Sequence, residues 1–234
     1  MTPDPIHEPV PDHFRQLTLS AGVLAAVAGY VNASTIVGAM HSPSTHMSGV
    51  ATHFSVDLVS ARGTPTFWLD VVVLLAFVGG SAVSGAVLDS TQLRVGRRYG
   101  LLLLIESGLL TIAWYFVGHG SWVHLPLIAV AAGLQNALAT QYSRAIVRTT
   151  HMTGILTDLG IAFGKWLARR GVTHWRVFLY LSILGGFLVG GVGGTAMSIV
   201  SHEHALLPPI ALTGIGGAAY WAWQHRLRVL AATR

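Results

Sequence analysis

Six stretches of this chain stay apolar over about the 20 residues that a helix needs to cross the hydrocarbon core of a bilayer. They are Leu17–Met40, Thr66–Leu88, Tyr99–Gly118, Trp122–Ser143, Trp175–Val200 and Leu206–Gln224. An all-α, polytopic membrane protein is the fold class they predict. Charge content agrees. Only 10% of the residues are charged and mean hydropathy is +0.59, against about 25% charged in a typical soluble domain. So few charges cannot cover a soluble surface, which excludes a disordered chain and argues against a soluble enzyme. No proline falls in the middle of a span, where it would break the helix. With no cysteine, disulfides and thiolate metal sites are excluded.

The net charge of +5 does not point to nucleic acid, because the arginines sit at the ends of apolar runs, where they orient helices in a bilayer. With the N-terminus inside, Arg15, Arg94, Arg97, Arg98, Arg144, Arg148, Lys165, Arg169, Arg170, Arg176, Arg226, Arg228 and Arg234 are all cytoplasmic and only Arg62 is outside. Two shorter helical segments remain, His46–Ser60 and His151–Ala168. If both crossed, the 13-to-1 split would fall to 9 and 5. Six spans plus two half-helices, either re-entrant or lying on the surface, is the better reading.

The halves repeat each other. AGYVNA (28–33) matches AGLQNA (132–137), THMSGVAT (45–52) matches THMTGILT (150–157), and FVGGSAVSG (77–85) matches ILGGFLVGG (183–191), in the same order. Each unit holds three spans, an odd number, so two fused units have opposite orientation, the 3+3 inverted repeat of many transporters. The expected organisation is a disordered cytoplasmic tail (1–16), a first three-span repeat (17–118), a second (119–225) and a basic cytoplasmic tail (226–234).

The AG-x-x-[ND]-A span followed by RTTHMTGILTDLG (148–160) resembles the YoaK-like family of bacterial inner-membrane proteins, a domain of unknown function. The resemblance runs over about residues 17–225. It implies a six-span protein of the bacterial inner membrane with both termini cytoplasmic, and no established substrate. In that family Asp usually stands where this chain has Asn32, and Asn where it has Val50.

Thr45 and Thr150 stand where N-caps of the half-helices are expected, leaving free N–H groups over Ser48 and Gly49 and over Thr153 and Gly154. A helix N-terminus carries about half a positive charge and can receive an anion; tight turns packed on spans one and four are the alternative. Asn32 and Asn136, mid-span, with Tyr30 and Gln135 beside them, either line a polar cavity or hydrogen-bond between helices. Glu106, isolated in span three, is a candidate proton site, as is Asp158; a carboxylate near mid-membrane costs about 2.5–3.5 kcal/mol on insertion scales. The 12 histidines show no metalloprotease spacing, and no metal or cofactor is expected. The Gly186/Gly190 and Gly190/Gly194 pairs signal close helix packing or dimerisation.

The leading expectation is a carrier or channel for a small solute, an anion slightly favoured, with a central site at the repeat interface. A non-transporting scaffold or sensor, acting as a homodimer, is the alternative. No nucleophile–base pair or metal set supports an enzyme.

Overall fold

The computed structural model describes residue 10 and residues 13–37, 45–60, 64–88, 98–143 and 148–232. Arg62, Arg94, Arg97, Arg144 and most of the N-terminal tail lie outside them. The described residues form eight α-helices and one short 3-10 turn, with no strand. The helices are α1 (Phe14–Val37), α2 (Met47–Ser60), α3 (Pro65–Val87), α4 (Tyr99–Gly118), α5 (His124–Tyr142), α6 (Met152–Leu167), α7 (His174–Val200) and α8 (Leu207–Ala232); the turn is His202–His204.

Five helical segments are long and apolar enough to cross a membrane: α1, α3, α4, α7, and α8 with the turn before it. Large apolar side chains on them, Leu75, Val78, Phe178, Val189, Val192 and Ile215, are 63–73% exposed. A water-soluble surface does not carry so continuous an apolar belt. These are the surfaces of an integral, multi-pass membrane protein. α2 and α6, at 14 and 16 residues, are too short to cross. α5 is the most enclosed helix, with Leu125, Ile128, Ala129, Leu134 and Ala139 at 0–1% exposure. Because it faces protein rather than lipid, it can carry Gln135, Asn136 and Thr140 and remain within the bundle.

Glycine sets the packing. α1 lies along α7, where Gly186, Gly190 and Gly194 bring α7 onto the carbonyl oxygens of Gly22, Ala26 and Tyr30. A Cβ on any of these three would overlap the facing oxygen. α3 lies along α5 in the same manner, with Gly80 against Val130 and Gly133 against Phe77. The glycine stripe expected to serve packing or dimerisation therefore joins two helices of one chain.

Contacts also fix relative directions. In α1 and α7 the paired residue numbers rise together, from Thr18–Ser182 to Tyr30–Gly194, so the helices are parallel. α3 and α5 are parallel as well: Val73 packs with Leu125 and Ala129, and the Ser81 hydroxyl donates to the Gly133 carbonyl at 3.1 Å. α4 and α8 are antiparallel. The Trp114 indole donates to the Glu203 carbonyl at 2.7 Å, the Ser107 hydroxyl donates to the Ile210 carbonyl at 2.9 Å, and Gly100 meets Gly217. α1 and α5 are antiparallel too, since Leu17 and Ala21 cluster with Ala139 while Val27 and Val31 cluster with Ile128.

α2 runs antiparallel to α3. Asp57 meets Thr66, His53 meets Asp70, and Val50 clusters with Val73. α2 therefore begins about 12 Å along α3 from its start, at 1.5 Å per residue, and climbs back toward Pro65. Thr64 caps α3 there, its hydroxyl accepting from the Phe67 N–H at 3.4 Å, with Pro65 in the first turn. α6 runs back along α7 similarly, Ile155 packing with Leu179 and Ile183. At the C-terminus α8 continues through Ala232, so much of the expected basic tail is helical.

Replacing Gly190 by Ala puts a methyl group into the Ala26 carbonyl, where only backbone can yield. Overpacking of this kind costs about 1–3 kcal/mol. Gly190→Ala is expected to lower the melting temperature in detergent by several degrees. Gly185→Ala, at a position with open space, is expected to leave it unchanged.

Candidate functional site

α1 and α5 carry the duplicated AG-x-x-NA segment in the centre of the bundle. Asn32 is 8% exposed. Its Oδ1 accepts from the Thr45 hydroxyl at 2.6 Å and lies 3.0 Å from His46 Nδ1. An amide oxygen only accepts, so His46 carries its proton on Nδ1. The His46 ring also packs edge-on against Phe187 of α7. In the second half, Asn136 Oδ1 accepts from the Thr149 hydroxyl at 3.4 Å. Both pairs are 13 residues apart. The first residues before each half-helix are thus tied to the duplicated asparagine of a central helix.

These bonds correct two expectations. Thr45 and Thr150 do not cap the half-helices; His46 and His151 occupy the cap positions, the Gly49 and Val50 amides donating to His46 O and the Ile155 amide to His151 O. The Thr45 hydroxyl is taken by Asn32, and Thr149 rather than Thr150 meets Asn136. The third repeat match also shifts by one helical turn. Phe77 and Phe187 make equivalent contacts with Gly133 and Gly29, and Gly80 and Gly190 with Val130 and Ala26. Packing register, which sequence identity among glycines does not reveal, decides that alignment.

A small cavity of about 10 Å³ between α1, α4 and α5 is lined by Ala28, Thr45, Glu106, Ala132 and Gln135 among others. It has room for about one water molecule. Glu106 is 2% exposed and its Oε2 meets no hydrogen-bond partner among the described residues. Gln135 is tied to α1 by donation to the Leu24 carbonyl at 3.2 Å. A second small cavity, about 20 Å³, lies toward the end of the bundle that holds the C-terminus of α1. Ser34, Thr35, His124 and His202 line it, and Ile128 borders both cavities.

Of the expected site residues, Asn32, Thr45, Gln135 and Glu106 come together. Asn136 forms the matching pair on the other side. Tyr30 turns away, its ring over Gly193. Ser48, Thr153 and Asp158 are exposed, and Asp158 lies near Tyr180 of α7. Gly49 lies in the first turn of α2, and Gly154 leaves room for the His151 ring rather than for Asn136.

Three residues escaped the sequence reading. His46 was legible only as one more histidine. Asp57 and Asp70 are 8% and 5% exposed, so Glu106 is not the only buried acid in a span. Their signal was the i, i+4 spacing of His53 and Asp57 on one helix face. His53 Nδ1 lies 2.6 Å from Asp70 Oδ2, and this hydrogen bond holds the imidazole above its ordinary pKa against the opposing effect of burial.

Burial pushes the His46 imidazole below its ordinary value. The fold then favours neutral His46, so its contribution to stability is full above about pH 6.5 and is lost as pH falls. The melting temperature in detergent is expected to drop between pH 7.5 and 5.5, and His46→Gln to make that drop smaller. An equal drop in the variant contradicts the assignment.

Residues 20–219 match a family described as a protein of unknown function, DUF1275. No curated protein and no solved structure matches the chain. The matched region runs from α1 into α8 and covers well over half of the sequence, and the chain belongs to the DUF1275 family.

Proposed function

We propose that the chain is a carrier or channel for a small solute, formed by two inverted three-span units, in a bacterial inner membrane with both termini cytoplasmic. Helix directions support the topology. In a six-span path α1, α4 and α7 run outward and α3, α5 and α8 run inward. The parallel pairs α1/α7 and α3/α5, and the antiparallel pairs α1/α5 and α4/α8, all fit it. If α2 and α6 also crossed, α4 and α8 would have to be parallel. Partner exchange supports the duplication: α1 of the first unit packs on α7 of the second, and α5 of the second on α3 of the first.

The observation that carries the transport reading is the pair of half-helices. Each starts deep beside a span and ties its start to a duplicated asparagine, and the first of them, through Thr45, borders a small cavity that also holds the unpartnered carboxyl of Glu106. Broken helices at mid-depth are tolerated where they line a cavity. A scaffold needs neither. In this reading Asn32, Thr45, Gln135 and Asn136 contact the solute and Glu106 exchanges a proton as it passes. The half-helix starts favour a neutral or anionic solute. A homodimer would use lipid-facing surfaces, since the α7 glycine stripe faces α1.

Proteoliposomes test this. Swelling under gradients of urea, glycerol, acetate and chloride is expected to exceed that of empty vesicles for at least one solute. Asn32→Leu is expected to reduce that flux tenfold or more. Glu106→Gln is expected to remove its pH dependence without loss of the monodisperse folded protein. Permeation equal to empty vesicles for all four, or flux unchanged in Asn32→Leu, contradicts the proposal.

A further inference from the structure

At the α2–α3 contact, His53, Asp57 and Asp70 each offer one ligand atom, and the three atoms lie within 4.8 Å of one another. The site is built from both helices. His53 and Asp57 share a face of α2 at i, i+4, and Asp70 projects from the second turn of α3. Both carboxylates are more than nine-tenths buried, while the His53 side chain is 56% exposed and leaves a way in.

The hydrogen bonds leave the two acids short of partners. Asp57 Oδ2 accepts from the Thr66 hydroxyl at 3.0 Å, and Asp70 Oδ2 meets His53 at 2.6 Å. The other oxygen of each acid meets no donor, and neither acid pairs with a Lys or Arg, among the described residues. Oxygens of both acids and a ring nitrogen of His53 thus converge at one point between the two helices. Helix clamping alone does not require this set. At the matching contact of α6 with α7, Asp158, which is exposed, stands where His53 would fall and Ala162 where Asp57 would fall.

We propose that His53, Asp57 and Asp70 bind a first-row divalent metal ion that bridges α2 to α3. One imidazole nitrogen and two carboxylate oxygens suit zinc or manganese, and the exposed side of His53 leaves positions for water. The ion fastens the half-helix to the span that supports it. This inference rests on the α2–α3 geometry and is independent of whether the chain transports a solute.

The test is calorimetric titration of zinc chloride, and separately manganese chloride, into the full-length protein in detergent after removal of metal with a chelator. One saturable equivalent of at least one of these ions is expected. Asp57→Asn is expected to weaken binding tenfold or more while leaving the His53–Asp70 hydrogen bond and the Thr66 contact in place. His53→Gln is expected to weaken it at least as much. A monodisperse elution profile with unchanged helical content checks that each variant is folded. Absence of saturable binding by the wild type overturns the proposal. So does zinc or manganese binding that both folded variants retain at full strength, which would place the ion on other histidines.

Discussion

Close approach of backbones at glycine is the interaction on which this structure depends. In a bilayer, apolar side chains gain little by leaving lipid for protein, so helices associate through tight packing and interhelical hydrogen bonds. Gly186, Gly190 and Gly194 let α7 touch α1, and Gly80 and Gly133 do the same for α3 and α5. These contacts bury α1 and α5 in the middle of the bundle. Only helices so enclosed can carry Asn32, Gln135 and Asn136 at depth without facing lipid.

The half-helices follow from that enclosure. In the proposed topology the chain enters the membrane and turns back, which would expose N–H groups and carbonyls that lipid cannot satisfy. Here the turns are held against protein. Thr45 and His46 bond to Asn32, and Thr149 bonds to Asn136. The first half-helix is further fastened to its neighbouring span by polar pairs, His53 with Asp70 and Asp57 with Thr66. The two halves share a geometry but not a charge. Glu106 has no acidic counterpart, since the corresponding part of α8 is glycine-rich at Gly214, Gly216 and Gly217.

Much of this was legible in the sequence because lipid imposes a length. Helices α3, α4, α5 and α7 begin and end within two residues of the apolar stretches that predict them. The two short helices were legible for the same reason, being too brief to cross. Capping was not. Thr45 reads as an N-cap by type and position, yet its hydroxyl has a buried amide oxygen within reach, and only tertiary structure reveals that competitor. Register failed at the glycines of α7, where identities one turn apart are indistinguishable until the facing carbonyls are known. A single acid near the start of an apolar run, such as Asp70, reads as a helix end; its meaning depends on His53, 17 residues away in sequence.

The central claim is that the two half-helices enter from opposite faces of the membrane. Because the chain has no cysteine, single cysteines can be placed without background at Ser60, the end of α2, and at Ala168, just past the end of α6. Labelling with a membrane-impermeant maleimide in intact cells and in inverted vesicles reads the side of each directly. Ser60→Cys is expected to react from outside only and Ala168→Cys from the cytoplasmic side only. Reaction of both from the same side would contradict it.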